Sequence, residues 1–145
     1  MKTARYLLLL TLVFSLFSMA LSCQSSGSNT DQPDTTSSSG LDLTSIPLEQ
    51  ALASGLPTLA EFGRGVCIPC KAMKPILKEL ATDYKGKLNV VIVEVDDHMD
   101  QTRQHGIMAI PTQIFFNSTG NELARHIGFL PKEEITAQLK KMGIY

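Results

Sequence analysis

The hydrophobic and polar positions of this chain fall into three regimes. Residues 6–21 are almost entirely apolar and carry no charge, whereas residues 24–40 are Ser, Thr, Gly, Asp, Gln and Asn with Pro33 among them. From Leu41 onward the pattern becomes periodic. Leu48, Ala51 and Leu52 have helical spacing, which predicts a short helix from Pro47, capped by Ser45 and stopped by Gly55. Residues 57–62 form a short apolar run suited to a strand, and Gly63-Arg64-Gly65 then loosens the chain. Met73, Ile76, Leu77, Leu80 and Ala81 predict a helix over 70–84, ended by Gly86. Residues 88–95, LNVVIVEV, are β-branched and nearly all apolar, as in a central strand buried on both faces.

Beyond it, Asp96, Asp97 and Asp100 surround the start of a short helix that runs to His105, before Gly106. Residues 113–117 and Glu122–Ile127 read as two strands of a hairpin turned by Ser118-Thr119-Gly120. A last helix spans 131–142, with Pro131 at its start, Glu133 and Glu134 in its first turn, and Lys140 and Lys141 in its last. A parallel βαβ part followed by an antiparallel hairpin predicts an α/β fold, a mixed sheet with helices on both faces. There are no internal repeats.

The first two regimes set the expected location. Lys2 and Arg5 precede the apolar run, whose length of 16 residues suits a secretory signal better than a membrane span, which needs about 20 residues. An uncleaved anchor is the alternative. Where the run ends, Met19-Ala20-Leu21-Ser22-Cys23 resembles a bacterial lipobox, with Ala20 in the place where Leu is preferred. The resemblance implies a signal peptide over 1–22, lipidation of Cys23 and a membrane-anchored protein facing the periplasm. Ordinary cleavage, giving a secreted protein, is the alternative. Gln24 stands where some Gram-negative lipoproteins carry an inner-membrane-retaining Asp, so the resemblance points to the outer membrane. The polar segment 24–40 cannot bury enough apolar surface to order itself and reads as a tether. Its 17 residues would reach on the order of 20–25 Å.

That leaves residues 41–145 as one domain of ordinary size. Without Lys2 and Arg5, 11 Lys and Arg stand against 14 Asp and Glu, a net charge of −3, and no basic cluster is present. A nucleic-acid partner is therefore not expected.

Three cysteines are an odd number for an exported chain, and lipidation of Cys23 would leave the pair Cys67 and Cys70. A loop this small constrains the unfolded chain weakly, so the pair is better explained by chemistry than by stapling. Between a strand and a helix, the first cysteine meets unpaired N–H groups and the positive end of the helix dipole, which stabilise a thiolate. The second lies one turn on, placed to resolve a mixed disulfide. Half of a zinc site has the same spacing, but His98, His105 and His126 lack ligand spacing, so no metal is expected.

Taken in order, Glu61-Phe62, Cys67-Ile68-Pro69-Cys70-Lys71, Pro75, Ile110-Pro111-Thr112 and Gly128 resemble the thioredoxin family, over residues 43–145. The resemblance implies a thioredoxin fold and thiol–disulfide exchange through Cys67 and Cys70. It further implies a cis peptide at Pro111 packed against the pair, a client segment paired with the Ile110 backbone, and a buried acid at Glu61 that shuttles the Cys70 proton. A buried carboxyl has a raised pKa and can do this. Ile68 and Pro69 would add to the client-facing surface. Lys71 and Lys74 read as a solvated helix face without a catalytic role.

The chain departs from the family at Val66 and Ile92, which replace a Trp and a Lys, at Glu61, which replaces an Asp, and at Ile68, which replaces a Gly. Strong oxidants of the superfamily hold the thiolate with a His between the cysteines. Ile68-Pro69 offers no such donor, so the potential is expected toward about −270 mV rather than −120 mV. That predicts a monomeric reductase of disulfide-containing client proteins, recharged by a membrane electron-donor protein and needing no cofactor. Haem-site cysteines of apocytochromes, mispaired disulfides and oxidised peroxidases are candidate clients. A disulfide donor or isomerase, and a binding module with a structural pair, are the competing readings.

Overall fold

The computed structural model describes Leu43, Thr44 and residues 46–145. The expected signal peptide 1–22, Cys23, the tether 24–40 and Ser45 lie outside the described residues. Among the described residues, eight elements follow in the expected order: α1 (Leu48–Ala53), β1 (Thr58–Gly63), α2 (Ile68–Asp83), β2 (Asn89–Glu94), α3 (Met99–Gln104), β3 (Thr112–Phe116), β4 (Glu122–Ile127) and α4 (Lys132–Lys141). The N-cap of α1 is Pro47, with no side-chain cap bond. Helix α2 starts two residues before the expected 70, because Pro69 fits the first turn of a helix without losing a needed N–H.

The four strands lie in the order β2-β1-β3-β4, with β1 parallel to β2 and antiparallel to β3, and β3 antiparallel to β4. Strand β2 is buried on both faces as expected but lies at one end of this order, so β1 and β3 are the inner pair. A Val- and Ile-rich run reports helices on both faces, not neighbours on both edges. The Ile92 N–H donates to the Leu43 carbonyl at 3.0 Å, occupying part of that edge. At the hairpin turn, Asn117 Oδ1 accepts from the N–H groups of Thr119 and Asn121, and Gly120 takes the positive φ of 76° that the reversal needs.

Strand alternation divides the core in two. Leu59, Val90, Ile92 and Phe115 face α2 and α4, packing with Met73, Leu77, Leu80, Ile135 and Leu139. Ala60, Phe62, Val91, Val93, Ile114 and Phe116 face the other way, against Leu48 and Ala51 of α1. On that second face the His105 ring lies 5.6 Å from Phe62 and 5.5 Å from Phe116, an aromatic plug whose burial lowers its pKa. Each fully buried Leu or Met contributes about 1.5–3 kcal/mol relative to exposure, so Met73, Leu77 and Leu80 are main contributors to holding α2 on the sheet. Among the described residues no helix is long and apolar enough to cross a membrane.

Candidate active site

Strand β1 ends at Gly63, and a turn in which the Cys67 N–H donates to the Arg64 carbonyl at 3.0 Å carries the chain to α2. Cys67 is the N-cap of that 16-residue helix. Its sulfur accepts from the Cys70 N–H at 3.3 Å, so one of the helix's unpaired donors already points at it. A thiolate there would gain from that donor and from the helix dipole. Cys67 and Cys70 are joined as a disulfide with their Cα atoms 5.3 Å apart. They differ in access: Cys70 is buried and Cys67 is half-buried. Only Cys67 is open to attack by or on a large partner.

Glu61 shares the parity of Leu59 and so projects onto the face covered by α2. It is 1% exposed, as expected from its apolar neighbours, and its Oε1 has no hydrogen-bond partner. Burial, reinforced by the nearby Glu94 carboxylate and opposed by Lys74, pushes its pKa up to about 7. The carboxyl fits because the next residue of the same parity is Gly63, where a Cβ would meet Glu61 Oε1 at 2.5 Å and Oε2 at 2.9 Å. Ile92 lies opposite Glu61 in the parallel register, so the position where the family carries lysine presents an apolar side chain. A cation comes instead from the helix. Lys74 Nζ lies 3.3 Å from Glu94 Oε1, and Glu94 pairs in register with Gly63.

The antiparallel pairing Phe62↔Thr112 brings the start of β3 to the end of β1, and with it Pro111. The Ile110–Pro111 peptide is cis, as the resemblance implied, and Pro111 is buried. The Pro111 carbonyl accepts from the Gly128 N–H at 2.8 Å, which brings the end of β4 to the same place. Among the described residues no backbone hydrogen bond engages Ile110. Val66, Ile68 and Met108 are exposed at this end of the sheet, together with Phe129 just after β4.

The fold thus gathers Cys67, Ile68, Pro69, Cys70, Glu61, Ile110 and Pro111, whereas Cys23 lies outside the described residues. Sequence reasoning missed four contributors. Gly63 leaves room for Glu61 on the same face of β1, Glu94 reaches it from β2 beside Gly63, and Gln113 lies opposite it. Lys74, read as solvated, engages Glu94; its position four residues after Cys70, on the same side of a helix, was the available signal. Among the described residues no group of three or more His, Cys, Asp or Glu side chains could hold a metal ion.

Comparison with known proteins agrees with this geometry. The thioredoxin family model matches residues 42–141. A thioredoxin of Alicyclobacillus acidocaldarius subsp. acidocaldarius is 38% identical over 99 residues, covering 68% of this chain and 93% of the relative. A thioredoxin of Staphylococcus aureus (strain Mu50 / ATCC 700699) is 34% identical over the same coverage. With Cys67 and Cys70 joined in a disulfide at a helix start, the chain belongs to the thioredoxin family and is a thiol–disulfide oxidoreductase.

Proposed function

We propose that this oxidoreductase is a reductase of extracytoplasmic client proteins, with Cys67 as nucleophile, Cys70 as resolving thiol and Glu61 as proton carrier. The observation that carries the reading is the asymmetry of the pair. A half-buried sulfur sits at a helix N-terminus, and a buried one lies in the helix that covers a carboxyl titrating at about 7.

The chemistry balances in two exchanges. In the reduced protein, the Cys67 thiolate attacks one client sulfur; the client S–S bond breaks, a mixed disulfide forms, and the first client thiolate leaves and is protonated. Cys70 then gives its proton to the Glu61 carboxylate and attacks Cys67. The internal disulfide forms, and the second client thiolate departs and takes up a proton. Two electrons pass to the client, and a dithiol donor must restore the pair. A group with pKa near the working pH is about half ionised and serves equally as acceptor and donor, the best compromise for such a relay. The extended client segment would pair with the Ile110 backbone, over the apolar surface of Ile68, Pro69 and Pro111.

The intervening Ile68-Pro69 supports the reducing direction, since neither side chain can donate to the Cys67 thiolate. The basic-apolar start, Cys23 and the polar segment 24–40 support export, lipid attachment near a membrane donor, and action as a tethered monomer. The test is reduction of insulin by the full-length chain with dithiothreitol as donor. The wild type should catalyse it and Cys67→Ser should not; a wild-type chain inert toward insulin would contradict the catalytic reading. Labelling with radioactive palmitate in a bacterial host, lost in Cys23→Ala, tests the anchor; an unlabelled wild type would contradict it.

A further inference from the structure

Gln113 is the middle of a row that crosses the sheet. Its register partners are Glu61 on β1 and His126 on β4, and directly opposed residues share a face, with Cβ atoms about 4.5–5.5 Å apart. The side chain is 0% exposed, yet neither its Nε2 nor its Oε1 has a hydrogen-bond partner. The third unpartnered buried side-chain atom among the described residues is Glu61 Oε1, on the residue opposite. A buried amide without partners costs stability that a leucine of similar volume would not. All three such atoms belong to one cross-strand pair, so they complement one another: an amide offers N–H to a carboxylate, and its oxygen can accept from a carboxylic acid.

We propose that Gln113 is a positioning residue for the relay, donating its Nε2–H to the Glu61 carboxylate during the Cys70 step. The terminal torsion of a glutamine is broad, so the amide can turn toward the carboxyl without leaving a rotamer well. A donor to an ionised group is stronger than one to a neutral group, so this contact favours the ionised, proton-accepting form. Other charges reach Glu61 from the neighbouring elements: Glu94 of β2 disfavours ionisation and Lys74 of α2 favours it. His126 of β4 lies beyond Gln113, its Nε2 3.2 Å from the Phe129 carbonyl. Gln113 is therefore a neutral side chain placed to tune the acid from the β3 side.

The inference rests on Glu61 acting as proton carrier, so the experiment includes both residues. The reduced full-length chain is rapidly mixed with an aromatic disulfide over a pH series, and release of the second aromatic thiolate reports Cys70 attacking Cys67. In wild type this rate has an inflection that Glu61→Gln removes; its persistence in Glu61→Gln would sink the relay itself. In Gln113→Leu the inflection moves up by about one pH unit, and the rate below the inflection falls as the ionised fraction drops. Gln113→Met, with an unbranched chain, does the same. A purely structural glutamine would change the rate equally at every pH. An inflection unmoved or moved down in both variants, with Glu61→Gln still removing it, overturns the role of Gln113 alone.

Discussion

The Glu61 carboxyl occupies the space that a side chain at Gly63 would need. A methyl group there would sit 2.5 Å from Oε1, well inside van der Waals contact. The longer acid and the missing side chain are therefore one feature, and they should not be exchangeable separately.

Gly63→Ala should force the buried carboxyl from its position and cost about 1–3 kcal/mol, as overpacking does. It should also slow the Cys70 step about ten-fold, by displacing the proton acceptor. Shortening the acid relieves the clash, so Glu61→Asp combined with Gly63→Ala should recover most of both losses. Rates and unfolding free energies of the two single variants and the double variant provide the check; strictly additive effects would show that the residues do not share the space.

Stability should depend on pH through Glu61. Its folded pKa of about 7 lies above the ordinary 4.5, so the folded protein binds the proton more tightly than the unfolded chain. The contribution is most favourable below about pH 4.5, is lost as pH rises toward about 7, and is level above that. The shift corresponds to about 3 kcal/mol across the window. Glu61→Gln, which cannot ionise, should gain stability relative to wild type by about that amount between pH 4.5 and 8. Urea unfolding of the disulfide form at several pH values measures this, and a difference independent of pH would contradict the burial of an ionisable acid.

The two charges acting on Glu61 should move its titration in opposite directions. Lys74 lowers the pKa, so Lys74→Met should raise the inflection of the Cys70 step. Glu94 raises it, so Glu94→Gln should lower it. The two variants shifting the inflection the same way would refute this assignment.

Removing the buried thiol should arrest exchange midway. Cys70→Ser should accumulate Cys67-linked mixed disulfides that a reductant releases, and Cys67→Ser should accumulate far fewer, because Cys70 is 1% exposed. Non-reducing electrophoresis after alkylation distinguishes them; equal trapping by both variants would reverse or void the assignment of roles.

Much of this site was legible in the sequence because its determinants are local. The Val- and Ile-rich run of β2, the 3–4 spacing of Met73, Ile76, Leu77 and Leu80, and the turn at 118–120 each report nearest-neighbour geometry. Cys67-Ile68-Pro69-Cys70 and Ile110-Pro111 are likewise contiguous motifs. Glu61 could be placed because its own neighbours are apolar. The rest depends on which strands end up adjacent. Gln113 sits in TQIFF as an ordinary strand residue until β3 lies beside β1 and puts it opposite Glu61. Gly63 looked like loop composition until the path of the Glu61 side chain assigned its empty position a use. Lys74 looked solvated because Glu94, its partner, comes from a strand 20 residues away in sequence. The lateral place of β2 is not legible for the same reason, since hydrophobicity registers covered faces and not paired edges.

The central claim, reduction through Cys67 and Cys70, turns on the potential of that pair. Equilibrating the full-length chain with dithiothreitol buffers and counting free thiols at each ratio gives it directly. One two-electron transition is expected at about −270 mV, abolished in Cys67→Ser. A midpoint above about −180 mV would place the pair among disulfide donors and isomerases and contradict it.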